Sequence, residues 1–548
     1  MRALLLSLTL LTIVTAVHAQ QPPQFGEIVD VRVTNIDVVV TDARGNGIHD
    51  LTAADFELYE NGEKREITNF HEVRSSGPQE GTIATSRRIV LFFDDTSLSL
   101  PGRRQIVAAA RDSLTSMLRP GDAVMIVSWN RSLAIRQPWN DDPATTRATL
   151  ESMAKERLAP SPRDASKRRL EKEIRDALID NEVASTAGGS ISFGVLLSAA
   201  AAHAESAAVE VQQFSTAFGS FLETLRGVGG KKIVILAGES FATDPGRDLF
   251  QFLENARQQT LASSRPLPGS RNANPMAEAS QYQKGALIES VGRAAAAQGL
   301  TIYAVNPQQP GQLSAGGVDQ TRPTDQNVQF AVAGEESTGF QMLSGITGGL
   351  AILGARPAVA FSRIASDIGS YYSLGYRAAT GPDIRRVEIR TTRDGLRLRT
   401  RSFVSVPPLE REMEDRVTAN HFQAPHDNDL GISLQIAGVV SKVGPNRMAP
   451  LHVLIPADRL TLAPEQDGTH TGAFSVFICV GSPEGDVSPV NRQIHPLRWP
   501  PEAIKQAVGR HLTFAVEVGL EGRADQISVG VLDHRSGLSG FDRIAVGP

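Results

Sequence analysis

The chain has 548 residues, too many for one hydrophobic core, and ordinary domain sizes divide that length into about three or four units. Hydrophobic residues make up 41% and charged residues 21%, a globular balance that argues against disorder, and a net charge of -5 offers no basic stripe for a nucleic-acid partner. Cys479 is the single cysteine, so no disulfide can form within the chain, and its neighbours Phe477, Ile478 and Val480 predict a buried thiol.

At the start, Arg2 precedes an apolar run from Ala3 to Val17, and Val17-His18-Ala19 sets small residues where a signal peptidase reads. Residues 1–19 are therefore expected to be a signal peptide cleaved after Ala19, the run being short for a bilayer. No cysteine follows to take a lipid anchor and no later segment is long enough to span, so the mature chain is expected in the periplasm or outside the cell.

Residues 26–75 read as a small β unit. Val29, Val31 and Val33 alternate, Ile36, Val38 and Val40 alternate after a change of phase, and Asn61-Gly62 between Phe56–Tyr59 and Lys64–Phe70 predicts a hairpin. Ser75–Arg88 is polar and reads as a linker. From 88 to 365 the pattern becomes α/β. Unbroken apolar strands are expected at Ile89–Phe93, Ala123–Trp129, Lys232–Ala237 and Leu300–Val305, with helices between them, one near Arg103–Leu118. Such strands indicate a mainly parallel sheet covered on both faces. Within this stretch, Lys167–Asp180 carries Leu170, Ile174 and Leu178 at helical spacing and reads as a solvated helix, and Ser263–Asn274 reads as a loop.

Residues 366–406 return to β character, including Tyr371-Tyr372-Ser373-Leu374-Gly375-Tyr376, whose aromatics are expected to pack a sheet face. The charged stretch 407–428 reads as a linker. In 429–548, Leu512, Phe514, Val516 and Val518 alternate, as do Ile527, Val529 and Val531, which predicts a β-sandwich of immunoglobulin-like type.

Chemistry concentrates where the first α/β strand ends. Asp95-Thr96-Ser97-Leu98-Ser99 places a carboxylate and two hydroxyls on a loop in the crevice where open α/β sheets bind ligands, and these hard oxygens suit Mg²⁺, Mn²⁺ or Ca²⁺. The same residues also suit a capped turn, with Asp and Ser oxygens accepting from backbone N–H groups.

This D-x-S-x-S motif after an apolar strand resembles the metal-ion-dependent adhesion site of the von Willebrand factor type A family. Val39-Val40-Thr41-Asp42, Leu51-Thr52-Ala53-Ala54-Asp55-Phe56, Thr301-Ile302-Tyr303-Ala304-Val305 and the Tyr371–Tyr376 stretch extend the likeness to secreted bacterial "VWFA-related" proteins, over roughly residues 26–405. The resemblance implies a doubly wound, Rossmann-like A-type domain, here flanked by the N-terminal β unit and the C-terminal sandwich. It further implies a divalent cation held by Asp95, Ser97 and Ser99 with two more loops. Gly188-Gly189-Ser190 is similar to the family's Gly-Gly-Thr, so Ser190 is the second-loop candidate and Thr186 its fallback. The third loop departs: Gly238-Glu239-Ser240 stands where the family has Thr-Asp-Gly, leaving Glu239, or Asp244 further on, to supply the carboxylate. The expected role is then a non-enzymatic adhesion or scaffold protein whose protein partner adds an acidic side chain to the metal, or one whose site is vestigial.

Gly238-Glu239-Ser240-Phe241-Ala242 also nearly matches the nucleophile elbow of α/β-hydrolases, with Ser240 as nucleophile. Every histidine after it, from His421 to His534, falls in the expected linker or sandwich, which disfavours a serine hydrolase. No H-E-x-x-H pair occurs, and Ser344-Gly345-Ile346-Thr347-Gly348-Gly349 lacks the lysine of a phosphate loop and reads as a turn before a short strand.

Overall fold

The structure, a computed structural model, describes residues 32–74, 86–156, 167, 169–173, 176, 192–262, 268–307, 336–378, 380–422, 428–443, 446–482, 487–507, 509–521 and 524–547. The expected signal peptide and the second-loop candidates Thr186 and Ser190 lie outside the described residues, as does most of the expected linker before Arg88.

The chain opens with β1 (Arg32–Thr41), β2 (Phe56–Glu60), β3 (Glu63–Arg65) and β4 (Ile67–Val73). Asn61 and Gly62 between β2 and β3 have φ of 50° and 86°, the left-handed angles a two-residue hairpin needs. The return arm of that hairpin is short, and β4 leaves for a different sheet.

The α/β part follows. Its strands are β5 (Arg87–Asp94), β6 (Ala123–Trp129), β7 (Leu133–Asn140), β8 (Lys231–Ala237), β9 (Leu300–Asn306) and β10 (Ala351–Leu353). They lie in the order β10-β9-β8-β5-β6-β7, all parallel except the edge strand β7. The helices between them are α1 (Leu100–Met117), α2 (Pro143–Lys155), α3 (Phe193–Thr224), α4 (Arg247–Ala262), α5 (Gly285–Ala297), α6 (Thr338–Thr347) and α7 (Pro357–Gly369). Alternate residues of β5 explain why its apolar run is unbroken. Ile89, Leu91 and Phe93 pack with Ile106 of α1, Leu150 of α2 and Phe361 of α7, while Val90 and Phe92 pack with Phe214 and Phe218 of α3 on the opposite face. Gly348, at φ 78°, ends α6 just before β10, as the glycine-rich stretch predicts.

The helix expected to be solvated at 167–180 is tied down at its start. Leu170 is buried with Phe193, Leu249 and Phe250, and the Lys167 ammonium lies 2.6 Å from the Asp248 carboxylate and also pairs with Glu336. Mixed charge there marks internal ion pairs as well as a wet face.

Next come β11 (Tyr371–Ala378), β12 (Gly381–Thr391), β13 (Arg397–Thr400) and β14 (Phe403–Val406). They pair with the first strands of the chain, in two sheets ordered β13-β1-β11-β4 and β14-β12-β2-β3. Ile36, Val38, Phe56 and Leu58 share one core with Tyr372, Leu374, Tyr376 and Ile389. The sequence reading kept 26–75 and 366–406 as separate segments, whereas β11 is flanked on both sides by β1 and β4. An isolated strand pair would leave unpaired edges, which this arrangement covers. The tyrosines pack as expected: Tyr372 and Tyr376 are buried, and their hydroxyls donate to the Ile48 carbonyl at 3.0 Å and to Glu60 Oε1 at 2.9 Å.

Instead of a linker, 407–428 contains α8 (Leu409–Phe422). Met413 and Val417 bury against Phe477, Cys479 and Phe541, while Ala419 joins the core beneath α3. The remaining strands are β15 (Ser433–Ile436), β16 (Ser441–Val443), β17 (Asn446–Pro456), β18 (Ala463–Pro464), β19 (His470–Gly481), β20 (Asn491–Trp499), β21 (His511–Leu520), β22 (Gln526–Asp533) and β23 (Ser539–Ala545). In one sheet β17 pairs with β15, β16 and β21; in the other β19 pairs with β18, β20 and β22, and β22 with β23. Leu451, Val453 and Val518 of the first sheet meet Val476, Ile478 and Val529 of the second. Cys479 is buried on the α8 side.

Candidate functional site

Strand order in the six-stranded sheet reverses between β5 and β8, so the loops leaving these two strands flank the crevice where a doubly wound sheet takes ligands. The first loop carries Asp95, Ser97 and Ser99, and the second carries Glu239.

Asp94, the last residue of β5, lies under the first loop. Its Oδ1 accepts from Thr96 N at 3.1 Å and from Thr96 Oγ1 at 2.5 Å, yet burial pushes its carboxyl up to about 6. Ser99 caps α1, its Oγ accepting from Gly102 N at 3.2 Å. Capping therefore accounts for Ser99 in part, as the alternative reading of the motif expected.

Asp95 is engaged from within the chain. Arg103 Nε donates to its Oδ1 at 2.8 Å, and the two side chains are 1% and 5% exposed for Arg103 and Asp95 respectively. Arg103 belongs to the buried stripe of α1 with Ile106, Val107, Ala110 and Leu114, so the helix aims the guanidinium at the loop. Its remaining donors reach the Met153 carbonyl at the end of α2 and Glu156 Oε2 at 3.1 Å, and Glu156 also pairs with Arg136. Burial raises the Asp95 carboxyl and the neighbouring Arg103 opposes that rise.

Glu239 joins the same crevice. Ser99 Oγ donates to its Oε1 at 2.6 Å, and Ser97 Oγ accepts from its backbone N at 3.2 Å while donating to the Asp94 carbonyl at 3.3 Å. Asn306, at the end of β9, donates to the Glu239 carbonyl at 2.9 Å. The glycine before Glu239 has a steric reason: a Cβ on Gly238 would lie 2.9 Å from the Phe340 ring and 3.0 Å from Ser97 Oγ. The loop approaches too closely for the threonine that the resembled motif places there. A Cβ on Gly102 would meet Glu239 Oε1 at 1.9 Å, so the carboxylate fills the space over the first turn of α1.

The fold thus brings Asp95, Ser97, Ser99 and Glu239 to one crevice. Asp244 lies elsewhere on the third loop, its Oδ2 accepting from Thr243 Oγ1 at 2.9 Å. As a donor set for a divalent cation the four residues fit poorly. The Asp95 carboxylate already has a cation, and both hydroxyls are engaged by backbone groups and Glu239. Among the described residues, no group of three or more His, Cys, Asp or Glu is arranged to hold a metal ion.

Arg103 is the residue that motif reasoning overlooked. Its signal was an arginine among Ile106, Val107 and Ala110 on the apolar face of a helix, a place that a charge occupies only with a partner.

Ser240 shares the loop with Glu239, whereas three of the histidines that follow it serve other packing. His421 is buried in α8, His495 lies between the rings of Phe474 and Phe514, and His534 Nε2 is 2.7 Å from the hydroxyl of the fully buried Ser475.

No family model matches the chain, and no curated protein does. Solved structures similar to it include the vWF domain of the type V pili tip protein Mfa5 from Porphyromonas gingivalis, at 12% identity and a TM-score of 0.26, covering 52% of this chain and 96% of that one. The central unit has the doubly wound, mainly parallel sheet that the resemblance to the von Willebrand factor type A family implies. An aerotolerance-related membrane protein from Bacteroides fragilis is similar at 11% identity and a TM-score of 0.21, covering 52% of this chain and 98% of that one. Manganese-loaded TRAP protein from Plasmodium vivax is similar at 8% identity and a TM-score of 0.21, covering 62% and 97%. Superpositions at these scores carry no weight for function or site. The A-like reading stands on the strand order, the loop at its switch point and the D-x-S-x-S motif.

Proposed function

We propose that this chain is an exported, non-catalytic binding or scaffold protein whose A-like crevice is closed by its own side chains, so that its contacts do not depend on a divalent cation. The carrying observation is the buried Asp95–Arg103 pair at 2.8 Å. A guanidinium 2.8 Å from the motif's carboxylate supplies the positive charge that a metal would bring, and a divalent ion entering beside it would meet a like charge. Glu239, itself buried, accepts from Ser99 Oγ at 2.6 Å and so occupies one of the motif's hydroxyls. Export rests on the N-terminal sequence pattern. Among the described residues no helix is long and apolar enough to cross a membrane.

A second reading keeps a working adhesion site, in which Asp95, Ser97, Ser99, Ser190 and Glu239 hold Mg²⁺, Mn²⁺ or Ca²⁺ and an acidic side chain of a protein partner completes the shell. The convergence of Ser97, Ser99 and Glu239 favours it, but it requires Arg103 to release Asp95. Thermal melting of the mature chain in EDTA and in millimolar Mg²⁺, Mn²⁺ or Ca²⁺ separates the two readings. A site that binds the folded state raises Tm by mass action, so the closed crevice gives the same Tm in all four conditions. A cation-dependent rise that disappears in Asp95→Ala would favour the adhesion site. Serine hydrolysis at Ser240 is tested by a fluorophosphonate probe, with no labelling expected.

A further inference from the structure

The C-terminal sandwich has, among the described residues, an open mouth on one side, between two edge strands. Among the described residues β21 pairs only with β17, over its whole length from His511 to Leu520, and β20 pairs only with β19. At one end the mouth is closed by His495 of β20, whose ring centroid lies 4.5 Å from that of Phe514 of β21 and 5.2 Å from that of Phe474 of β19. At the other end it opens into a cavity of about 860 Å³, within the usual size of ligand pockets.

The lining shows what kind of surface this is. A sheet face presents every second residue of a strand, whereas an edge presents consecutive ones, because the backbone itself is exposed. β20 contributes Asn491 and Gln493, one parity, so it offers a face. β21 contributes Val516, Glu517, Val518 and Gly519 in succession, so the cavity runs along its free edge. The floor is Ile478 and Val480 of β19, continuous with the sandwich core. Ser482, 4% exposed and lining the same cavity, has a hydroxyl with no hydrogen-bond partner among the described residues. Among the described residues of the lining, Glu517 and Glu521 are the charged ones, with no lysine or arginine.

We propose that this mouth receives an extended strand from a partner protein, which pairs with the free edge of β21, sets small apolar side chains over Ile478 and Val480, and brings a lysine or arginine to Glu517 and Glu521. Backbone pairing supplies the affinity in such strand addition, and the pockets for alternate side chains supply the choice of sequence. A ten-residue edge without proline is a pairing template unless something covers it, and β21, His511–Leu520, contains none. This inference is independent of the crevice at Asp95.

The test selects nine-residue display peptides on the full mature chain, then measures the enriched peptide by fluorescence anisotropy and by amide exchange. Enriched peptides are expected to alternate small apolar and polar residues with a basic end, and to slow exchange of the amides in 512–520. The double change Glu517→Lys with Glu521→Lys should weaken binding at least tenfold. Gln493→Trp, which fills the cavity from β20, should abolish it while circular dichroism shows the sandwich intact. Failure to enrich any peptide, binding unaffected by both sets of changes, or binding without protection of 512–520 would each overturn the proposal.

Discussion

Removing one partner of a buried ion pair is costly because the other charge stays behind in a medium that solvates it poorly. Asp95 is that remaining charge if Arg103 is truncated, and Arg103→Met is expected to destabilise the fold by about 3–5 kcal/mol in urea unfolding. Replacing both residues by apolar ones should cost far less, and a double-mutant cycle reads the coupling directly. A double variant whose loss equals the sum of the two single losses would show that the pair is not a unit. Gly102 probes the same crevice from the other side. Because a Cβ there would meet Glu239 Oε1, the end of a flexible side chain, at 1.9 Å, Gly102→Ala should displace the Glu239 carboxylate from Ser99, and it should be more favourable in a Glu239→Ala background; the same effect in both backgrounds would mean that Glu239 does not fill the space over α1. Lys232 supplies a pH dependence. It is 9% exposed, its ammonium donates to the Arg226 carbonyl at 3.0 Å, and burial first, then nearby Arg401 and Arg226, pull it down to about 8 from 10.5. Between those values the unfolded chain binds more protons than the folded one, so stability rises with pH. A rise of about 2 kcal/mol in unfolding free energy between about pH 7.5 and about pH 10 is expected and should vanish in Lys232→Met, measured by urea unfolding at the two pH values. An unchanged rise would assign it to another group.

Elements differed in how plainly the sequence announced them. β5, β6, β8 and β9 were legible because both faces are buried and the strands are therefore continuously apolar. β7 was not, since its exposed edge position mixes Arg136 and Gln137 with Leu133 and Ile135. α8 hid behind its charges, with Glu410, Arg411, Glu412, Glu414, Asp415 and Arg416 surrounding the few residues that bury. What holds α8 against the α/β unit is partly a close backbone approach that no periodicity reveals. A Cβ on Gly227 would lie 1.9 Å from the Asp415 carbonyl, so Gly227→Ala should push α8 outward and speed amide exchange across 413–421. Unchanged exchange would show that the contact is not needed. In the crevice, the loop oxygens were legible as a motif, and their state was not. Whether Asp95 faces solvent, a metal or a guanidinium depends on a residue one helical turn further on, which a five-residue pattern does not include.

For the whole molecule, the composite β unit makes the ends of the α/β unit interdependent. β1 and β4 flank β11, so a chain lacking residues 32–74 leaves β11 with both edges bare and Tyr372, Leu374 and Tyr376 uncovered. That truncation is expected to aggregate or bind a hydrophobic dye, and a soluble product with a cooperative melt would show that 371–406 folds without its partner strands. The α/β unit is thus carried as an insertion within a sandwich, with α8 linking it to the C-terminal sheets. The most direct test of the closed crevice is calorimetric titration of the full mature chain with Mg²⁺, Mn²⁺ and Ca²⁺, beside an Asp95→Ala control. The account predicts no saturable heat from any of the three ions in either protein. Saturable binding to the native chain that is lost in Asp95→Ala would contradict it and restore a metal to the site.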